Sequence, residues 1–315
     1  PNCEKKEENN KLNSTYFCNK EQERIAYLIG IGMGTPDHLT GEARAAFEKA
    51  DCILGSGRML DSFKATGKPL FDAYDPAKML AYVKDHPEHH TIAVALSGDV
   101  GFYSGAKRLI TAFEGAGIHT ELITGISSVT YFCSRLQIPW EDVKLMSIHG
   151  RRENLIAAVR THFRTFTLLG GKDNVASLCE KLEKYGFENV KLYIGERLHY
   201  PEERITEGTP AELKEKAFDS LCVAIIENPS YTSGLRSCIP DEEFQRGDAP
   251  MTKSEVRSLS VAKLNLNRDS IAWDIGAGTG SVTIEMALAA ADGEVYAIEK
   301  KSEAAALIEE NAKKF

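Results

Sequence analysis

Apolar residues run almost unbroken from Ile25 to Ile29 and from Thr91 to Leu96, and each run passes straight into glycines, at Gly30, Gly32 and Gly34 and at Gly98 and Gly101. Runs of this length closed by glycine read as strands buried on both faces that end in tight, backbone-exposing turns. Between and after them the pattern predicts a helix over 42–50, a short apolar strand over 51–55, a helix over 103–114, a strand over 119–123 and a helix over 127–136. Asp75-Pro76 reads as an N-cap followed by a proline at the first helical position. Regular alternation of this kind predicts one doubly wound α/β domain over residues 24–138.

Pro139 and Trp140 change the rhythm. Strands over 144–148, 166–169, 190–194 and 221–226, with helices over 153–161 and 174–185, predict a second α/β domain over 139–230. The stretches Gly195–Pro201 and Gly208–Pro210 read as turns at its margin. Residues 231–252 carry proline, glycine and charge with little periodicity and are expected to form a linker. From 253 to 315 a helix capped by Thr252 or Ser254, a strand over 271–275, a glycine turn, a helix over 281–291, a strand over 294–298 and a helix over 302–315 make the front of a Rossmann-like domain. One βαβ unit leaves sheet edges and apolar faces open, so this domain reads as incomplete. Residues 1–23 are mostly polar and charged and are expected to be a disordered leader without the apolar core of a signal peptide.

Composition narrows the classes of function. The chain has 315 residues, 43% hydrophobic and 27% charged, with net charge −8, so bulk electrostatic binding of nucleic acid is not expected. No apolar stretch approaches the ~18 residues that span a bilayer. Seven cysteines are scattered singly, with no Cys-x-x-Cys pair and no histidine spacing suited to zinc. They read as reduced thiols in a cytoplasmic protein, and no metal is expected.

Two glycine patterns carry chemistry. One is the pair of strand-end loops, Tyr27–Pro36 and Leu96–Ser104, which suggest a single cleft. The other is Asp274-Ile-Gly-Ala-Gly-Thr-Gly280 with Glu299 at the end of the next strand. Alternate glycines let a nucleoside lie against the backbone, and a carboxylate at the second strand's tip accepts ribose hydroxyls. A dehydrogenase fingerprint would place glycine where Ser281 stands. The motif is more similar to that of class I methyltransferases using S-adenosylmethionine, with a dinucleotide binder as the alternative.

Tyr27–Pro36, Ser97-Gly-Asp-Val-Gly-Phe-Tyr-Ser104, Gly125-Ile-Ser-Ser128, Ser147-Ile-His-Gly-Arg151 and Gly195-Glu-Arg197 closely resemble the tetrapyrrole (corrin/porphyrin) methylase family, in its C5-methylating branch of cobalamin biosynthesis. Residues from Ile239 to Phe315 resemble the start of its common fusion partner, the C15-methylating, C12-decarboxylating enzymes. Together these imply a C5,15-methyltransferase acting on precorrin-6Y or a cobalt-precorrin. The implied fold is two α/β domains with a cleft between them, followed by the incomplete Rossmann-like class I methyltransferase domain. A chain stopping at Phe315 is then expected to lack the second activity.

The resemblance implies S-adenosylmethionine bound by Gly30, Gly32, Gly34, Ser97, Asp99, Gly101, Phe102, Ser127 and Ser128, and in the second module by Asp274, Gly276, Gly278, Gly280 and Glu299. Val100 stands where the family most often has proline, which puts the loop geometry in question. A sulfonium methyl is already activated, so no protein nucleophile is needed; Asp99 and His149 are candidate bases. Asp99 reads equally as a turn-forming carboxylate, and His149 as a structural or substrate-bonding group. Arg151, Arg152 and Arg197 are candidates to grip the carboxylates of the macrocycle. The implied relatives are homo-oligomers. Competing functions are another tetrapyrrole methylation, a nucleotide-binding dehydrogenase, or a non-catalytic protein that binds the macrocycle.

Overall fold

The computed structural model describes residues 24–148, 153–232 and 236–315, which fall into two compact units that divide at Ile126 and Ser127. The first unit runs β1 (Ile25–Gly30), α1 (Gly41–Lys49), β2 (Cys52–Gly55), β3 (Leu70–Asp72), α2 (Pro76–Asp85), β4 (Thr91–Leu96), α3 (Ala106–Glu114) and β5 (His119–Ile123). Its five strands form one parallel sheet in the order β3-β2-β4-β1-β5. Alternate residues feed cores on opposite faces: Leu28, Leu54, Ile92 and Val94 on one, Ile29, Ile53, Ala93 and Ala95 on the other. Burial on both faces is why these strands read as unbroken apolar runs.

Local chemistry starts the helices where the pattern places them. Thr40 accepts a hydrogen bond from the Ala43 N–H, and Asp75 accepts from Ala77 and Lys78 ahead of Pro76. Each such cap contributes about 1 kcal/mol. Two differences from the sequence pattern have physical causes. Helix α3 starts at Ala106 rather than near 103, because Tyr103 lies at φ 49°, outside helical geometry. The 3-10 run Gly57–Thr66 and the three-residue strand β3 are too short and irregular to leave a periodic signal.

The second unit continues with α4 (Ser128–Leu136), β6 (Val143–Ser147), α5 (Leu155–Thr161), β7 (Arg164–Leu168), α6 (Val175–Lys184), β8 (Lys191–Glu196), β9 (Arg204–Gly208), α7 (Pro210–Leu213) and β10 (Cys222–Glu227). Its five-stranded sheet has the order β6-β7-β10-β8-β9, with only β6 and β7 parallel. Compactness groups α4 with the residues that follow it, whereas the sequence pattern runs the first domain on to residue 138. The packing reason lies at Gly195 in β8: a Cβ there would fall 2.7 Å from the Phe132 ring of α4.

Then come α8 (Ser254–Leu264), β11 (Ile271–Ile275), α9 (Ser281–Ala289), β12 (Glu294–Ile298) and α10 (Ser302–Lys314), with β11 and β12 paired in parallel. Inside the stretch expected to link, Ile239 and Phe244 are buried against Ile284 of α9. The wholly buried Arg257 of α8 fixes that segment: its Nε donates to Glu285 at 2.7 Å, its Nη1 to Asp241 at 3.1 Å and to the Thr252 carbonyl at 2.7 Å. Cys52, Cys133, Cys179 and Cys222 are free and buried. Burial pushes Cys52 and Cys222 up to about 12, and Cys133 and Cys179 up to about 11, so these are inert core thiols. Among the described residues no helix is long and apolar enough to cross a membrane.

Candidate active site

In the first unit, β1 lies between β4 and β5, so three neighbouring parallel strands deliver their following loops to the same edge of the sheet. That carboxyl edge is where open α/β sheets bind ligands. The loops are joined by their own backbones. Gly32 and Gly98 form an isolated bridge, with Gly32 N–H to Gly98 O at 3.1 Å and Gly98 N–H to Gly32 O at 2.7 Å. Both glycines are left-handed, at φ 62° and 70°, a conformation that side chains resist. Gly30 lies so close under the other loops that a Cβ there would sit 2.7 Å from Gly98 O and from Gly125 N.

Asp99 completes the joint. Its Oδ1 accepts from the Gly101 N–H at 2.8 Å, and its Oδ2 from the Thr124 hydroxyl at 2.7 Å and the Gly125 N–H at 3.1 Å. Burial alone would raise its pKa, but the bonds from Thr124, Gly125, Gly101 and Val100 outweigh it and hold the carboxyl below its usual range. An ionised carboxylate bonded this way is a poor proton acceptor and a good loop brace. Thr124, which holds it, was not among the residues the sequence singled out. Its signal was weak: only the strand order places the end of β5 beside Asp99.

Around this joint, Ser62 donates to the Gly34 carbonyl at 2.8 Å, and Phe102 meets Tyr103 edge to face at 4.9 Å. Ser97 follows β4 directly. In the second unit, Ser127 is the N-cap of α4, accepting from the Thr130 N–H, and Ser128 opens that helix. Arg197 sits at φ 44°, with its guanidinium paired to Asp219 at 3.3 Å and Glu202 at 3.4 Å. Nearby, Glu203 accepts from the Tyr131 hydroxyl, the His199 N–H and Arg135. Burial first, and then the bond to Glu203, pushes Tyr131 up to about 12. His149, Arg151 and Arg152 lie outside the described residues.

The other glycine motif is built as its spacing suggests. Gly276, Gly278 and Gly280 are all left-handed, at φ 83°, 56° and 78°, and Gly280 is the residue from which α9 starts. Asp274 accepts from the Thr283 hydroxyl at 2.5 Å. Glu299 accepts from the N–H groups of Gly278, Lys300 and Lys301, and these bonds, led by that from Lys301, keep its pKa low. Within the loop the hydroxyl of Thr279, a residue 1% exposed, has no hydrogen-bond partner among the described residues.

Known proteins match both parts of the chain. Residues 26–214 match the family described as Tetrapyrrole (Corrin/Porphyrin) Methylases, and residues 242–315 the Precorrin methyltransferase domain. A precorrin-6Y C(5,15)-methyltransferase [decarboxylating] from Sinorhizobium sp. is 30% identical over 91% of this chain and 70% of its own length. A probable cobalt-precorrin-7 C(5)-methyltransferase from Methanocaldococcus jannaschii is 27% identical over 64% of this chain and 98% of its own. The chain spans 40% of the length of one curated relative, a probable cobalt-precorrin-6B C(15)-methyltransferase (decarboxylating) from Pyrobaculum calidifontis that is 49% identical over 24% of this chain. A solved uroporphyrin-III C-methyl transferase from Thermus thermophilus, complexed with S-adenyl homocysteine, superposes with a TM-score of 0.52 at 19% identity, over 65% of this chain and 97% of that one; at that identity the likeness speaks to fold. Together with the matched family region, which covers more than half of the sequence, these findings mean that the chain belongs to the tetrapyrrole (corrin/porphyrin) methylase family.

Proposed function

We propose that the chain is an S-adenosylmethionine-dependent C-methyltransferase of cobalamin biosynthesis that methylates C5 of a precorrin or cobalt-precorrin. Residues 242–315 belong to the part of such enzymes that methylates C15 with decarboxylation. The observation that carries this proposal is the joint of three strand-end loops around Asp99, inside the region matched by the methylase family.

The residues suit the methyl donor. Gly101 is exposed and leaves main chain open to close approach, the buried Gly30, Gly32 and Gly34 keep the loops closely packed, and an ionised Asp99 gives the loops a negative charge suited to a cationic sulfonium. Gly30, Gly32, Gly34, Ser97, Asp99, Gly101, Phe102, Ser127 and Ser128 would hold it. Asp274, Gly276, Gly278, Gly280 and Glu299 would do so in the second module, where the unpartnered Thr279 hydroxyl is one more polar group for a nucleoside. When bound, S-adenosylmethionine supplies an electrophilic methyl group. The protein's part is to hold loops that align donor and ring carbon. Asp99 acts there as a positioning residue, since donors already occupy both of its oxygens. His149 remains the candidate base, Arg151 and Arg152 the candidate grips on substrate carboxylates. Arg197 would have to exchange its pairing with Asp219 and Glu202 to join them.

Incubation with late precorrins, with and without cobalt, under anaerobic conditions tests the proposal. Mass spectrometry is expected to show one methyl group gained, placed at C5 by NMR of labelled methyl. Methylation of uroporphyrinogen instead would move the chain to another branch of the family, and binding of NAD(P) in place of S-adenosylmethionine would make it a dehydrogenase. The proposal includes a cytoplasmic, homo-oligomeric enzyme.

A further inference from the structure

Away from these loops, α2 ends in Asp85-His86-Pro87-Glu88-His89. The turn is tightly fastened. His86 N–H bonds the Tyr82 carbonyl, and His89 N–H bonds the His86 carbonyl at 3.2 Å. The Arg24 guanidinium gathers the carbonyls of Val83, His86 and His89 at 2.6, 3.1 and 2.9 Å. Three side chains converge above it. His86 Nδ1 lies 2.8 Å from Glu88 Oε1, His89 Nε2 lies 4.0 Å from the same oxygen, and all three donor atoms are within 4.8 Å of one another. Aromatic stacking holds the imidazoles: Phe71 on Tyr82 at 4.2 Å, Tyr82 against His86 at 4.3 Å, and His86 against His89 at 5.4 Å.

We propose that His86 Nδ1, a Glu88 carboxylate oxygen and His89 Nε2 bind a divalent transition-metal ion of the zinc and cobalt class, with water completing the coordination. Two imidazoles and one carboxylate are a donor set for borderline ions and not for magnesium or calcium, which take oxygen alone. Tetrahedral bonds of about 2.0–2.1 Å put donors roughly 3.4 Å apart, so the Glu88 oxygen has to move by roughly 0.6 Å, away from His86 Nδ1 and toward His89 Nε2. Glu88, 60% exposed at its side chain, has the room to make that movement. The C-terminal end of α2 adds a favourable dipole for a cation. Arg24 opposes it, but its guanidinium is turned to the three carbonyls. Sequence spacing hid this site, because the ligands stand at i, i+2 and i+3 across a proline turn. The bland account is a turn closed by the His86–Glu88 hydrogen bond alone.

Titration of the chelator-treated chain with Co2+, after alkylation of accessible thiols, separates the two. Expected are one Co2+ per chain, weak visible bands without thiolate charge transfer, displacement by Zn2+ and a rise in Tm with either ion. H86A and E88Q, both at exposed side chains, are expected to bind at least about tenfold more weakly while keeping the far-UV spectrum and S-adenosylmethionine affinity. H89A, at a nearly buried ring, is a supporting variant. Equal binding by H86A and E88Q, bands from sulfur ligation, or no binding at about 1 mM Co2+ would overturn the proposal.

Discussion

At Asp99, one carboxylate takes on donors from its own loop and from the loop after β5, and the cost of losing it follows from that geometry. D99A leaves the Thr124 hydroxyl and two amide N–H groups without their acceptor, which costs about 1–3 kcal/mol and loosens the donor site with it. Chemical denaturation is expected to show a lower midpoint, and isothermal titration a weaker S-adenosylmethionine affinity. The pH dependence has a defined sign. The folded pKa is below the unfolded one, so Asp99 contributes its full stabilisation above the ordinary aspartate range near about 4. That contribution is lost as pH falls through the lower folded value. The wild-type chain is therefore expected to lose more stability on acidification than D99N; parallel acid-unfolding curves for the two would contradict the role. Of this arrangement the sequence displayed Asp99 and its glycines, because chain neighbours carry the motif. It hid Thr124, because that contact exists only when β5 lies beside β1.

Elements show the same division between local signals and contacts distant in sequence. Strands Thr91–Leu96, His119–Ile123, Ile271–Ile275 and Glu294–Ile298 were legible to the residue, since apolar or alternating stretches that follow a predicted helix or glycine turn mark their own ends. Strand β9 was not: Arg204-Ile-Thr-Glu-Gly208 is half polar, lies at the sheet edge, and is set by pairing with β8. Gly125 shows how closely elements meet at the site. A Cβ there would collide with backbone oxygens of both Gly98 and Gly30, the latter at 2.5 Å. G125A is expected to destabilise the first unit by about 1–3 kcal/mol and to abolish donor binding, whereas G117A, with nothing near its Cβ, should lose only a modest amount of stability from its left-handed φ and keep the affinity. Comparable donor affinities in the two variants would sink the claim. In the second unit the segment through Asp241 and Phe244 carries no periodic signal in the sequence, because its anchor, Arg257, lies beyond it in the chain. R257L leaves Glu285 buried without its cation, a loss of about 3–5 kcal/mol. Limited proteolysis is expected to cut between 236 and 253 in that variant and to spare the wild type.

Across the whole molecule the two glycine sites rest on unequal foundations. The strands beneath the Asp99 joint are covered on both faces, and their side chains fill two cores. The strands beneath the Asp274 motif are covered by α9 on one face, and the other carries Ile271, Trp273, Ile275, Tyr296 and Ile298 in the open, from 42% to 78% exposed. Parallel strands are ordinarily buried on both sides, and contiguous apolar area of this kind attracts dyes, partners and other copies. The chain is accordingly expected to enhance the fluorescence of anilinonaphthalene sulfonate and to associate as concentration rises, and a triple I271S/W273S/Y296S variant to lower both. The substitutions lie on the strand face away from Asp274 and outside the first unit, so S-adenosylmethionine affinity at the Asp99 site should be unchanged. Undiminished dye binding in the triple variant would place the apolar surface elsewhere. Unchanged association with reduced dye binding would show that the copies meet through a different face, leaving this one to be covered by other means.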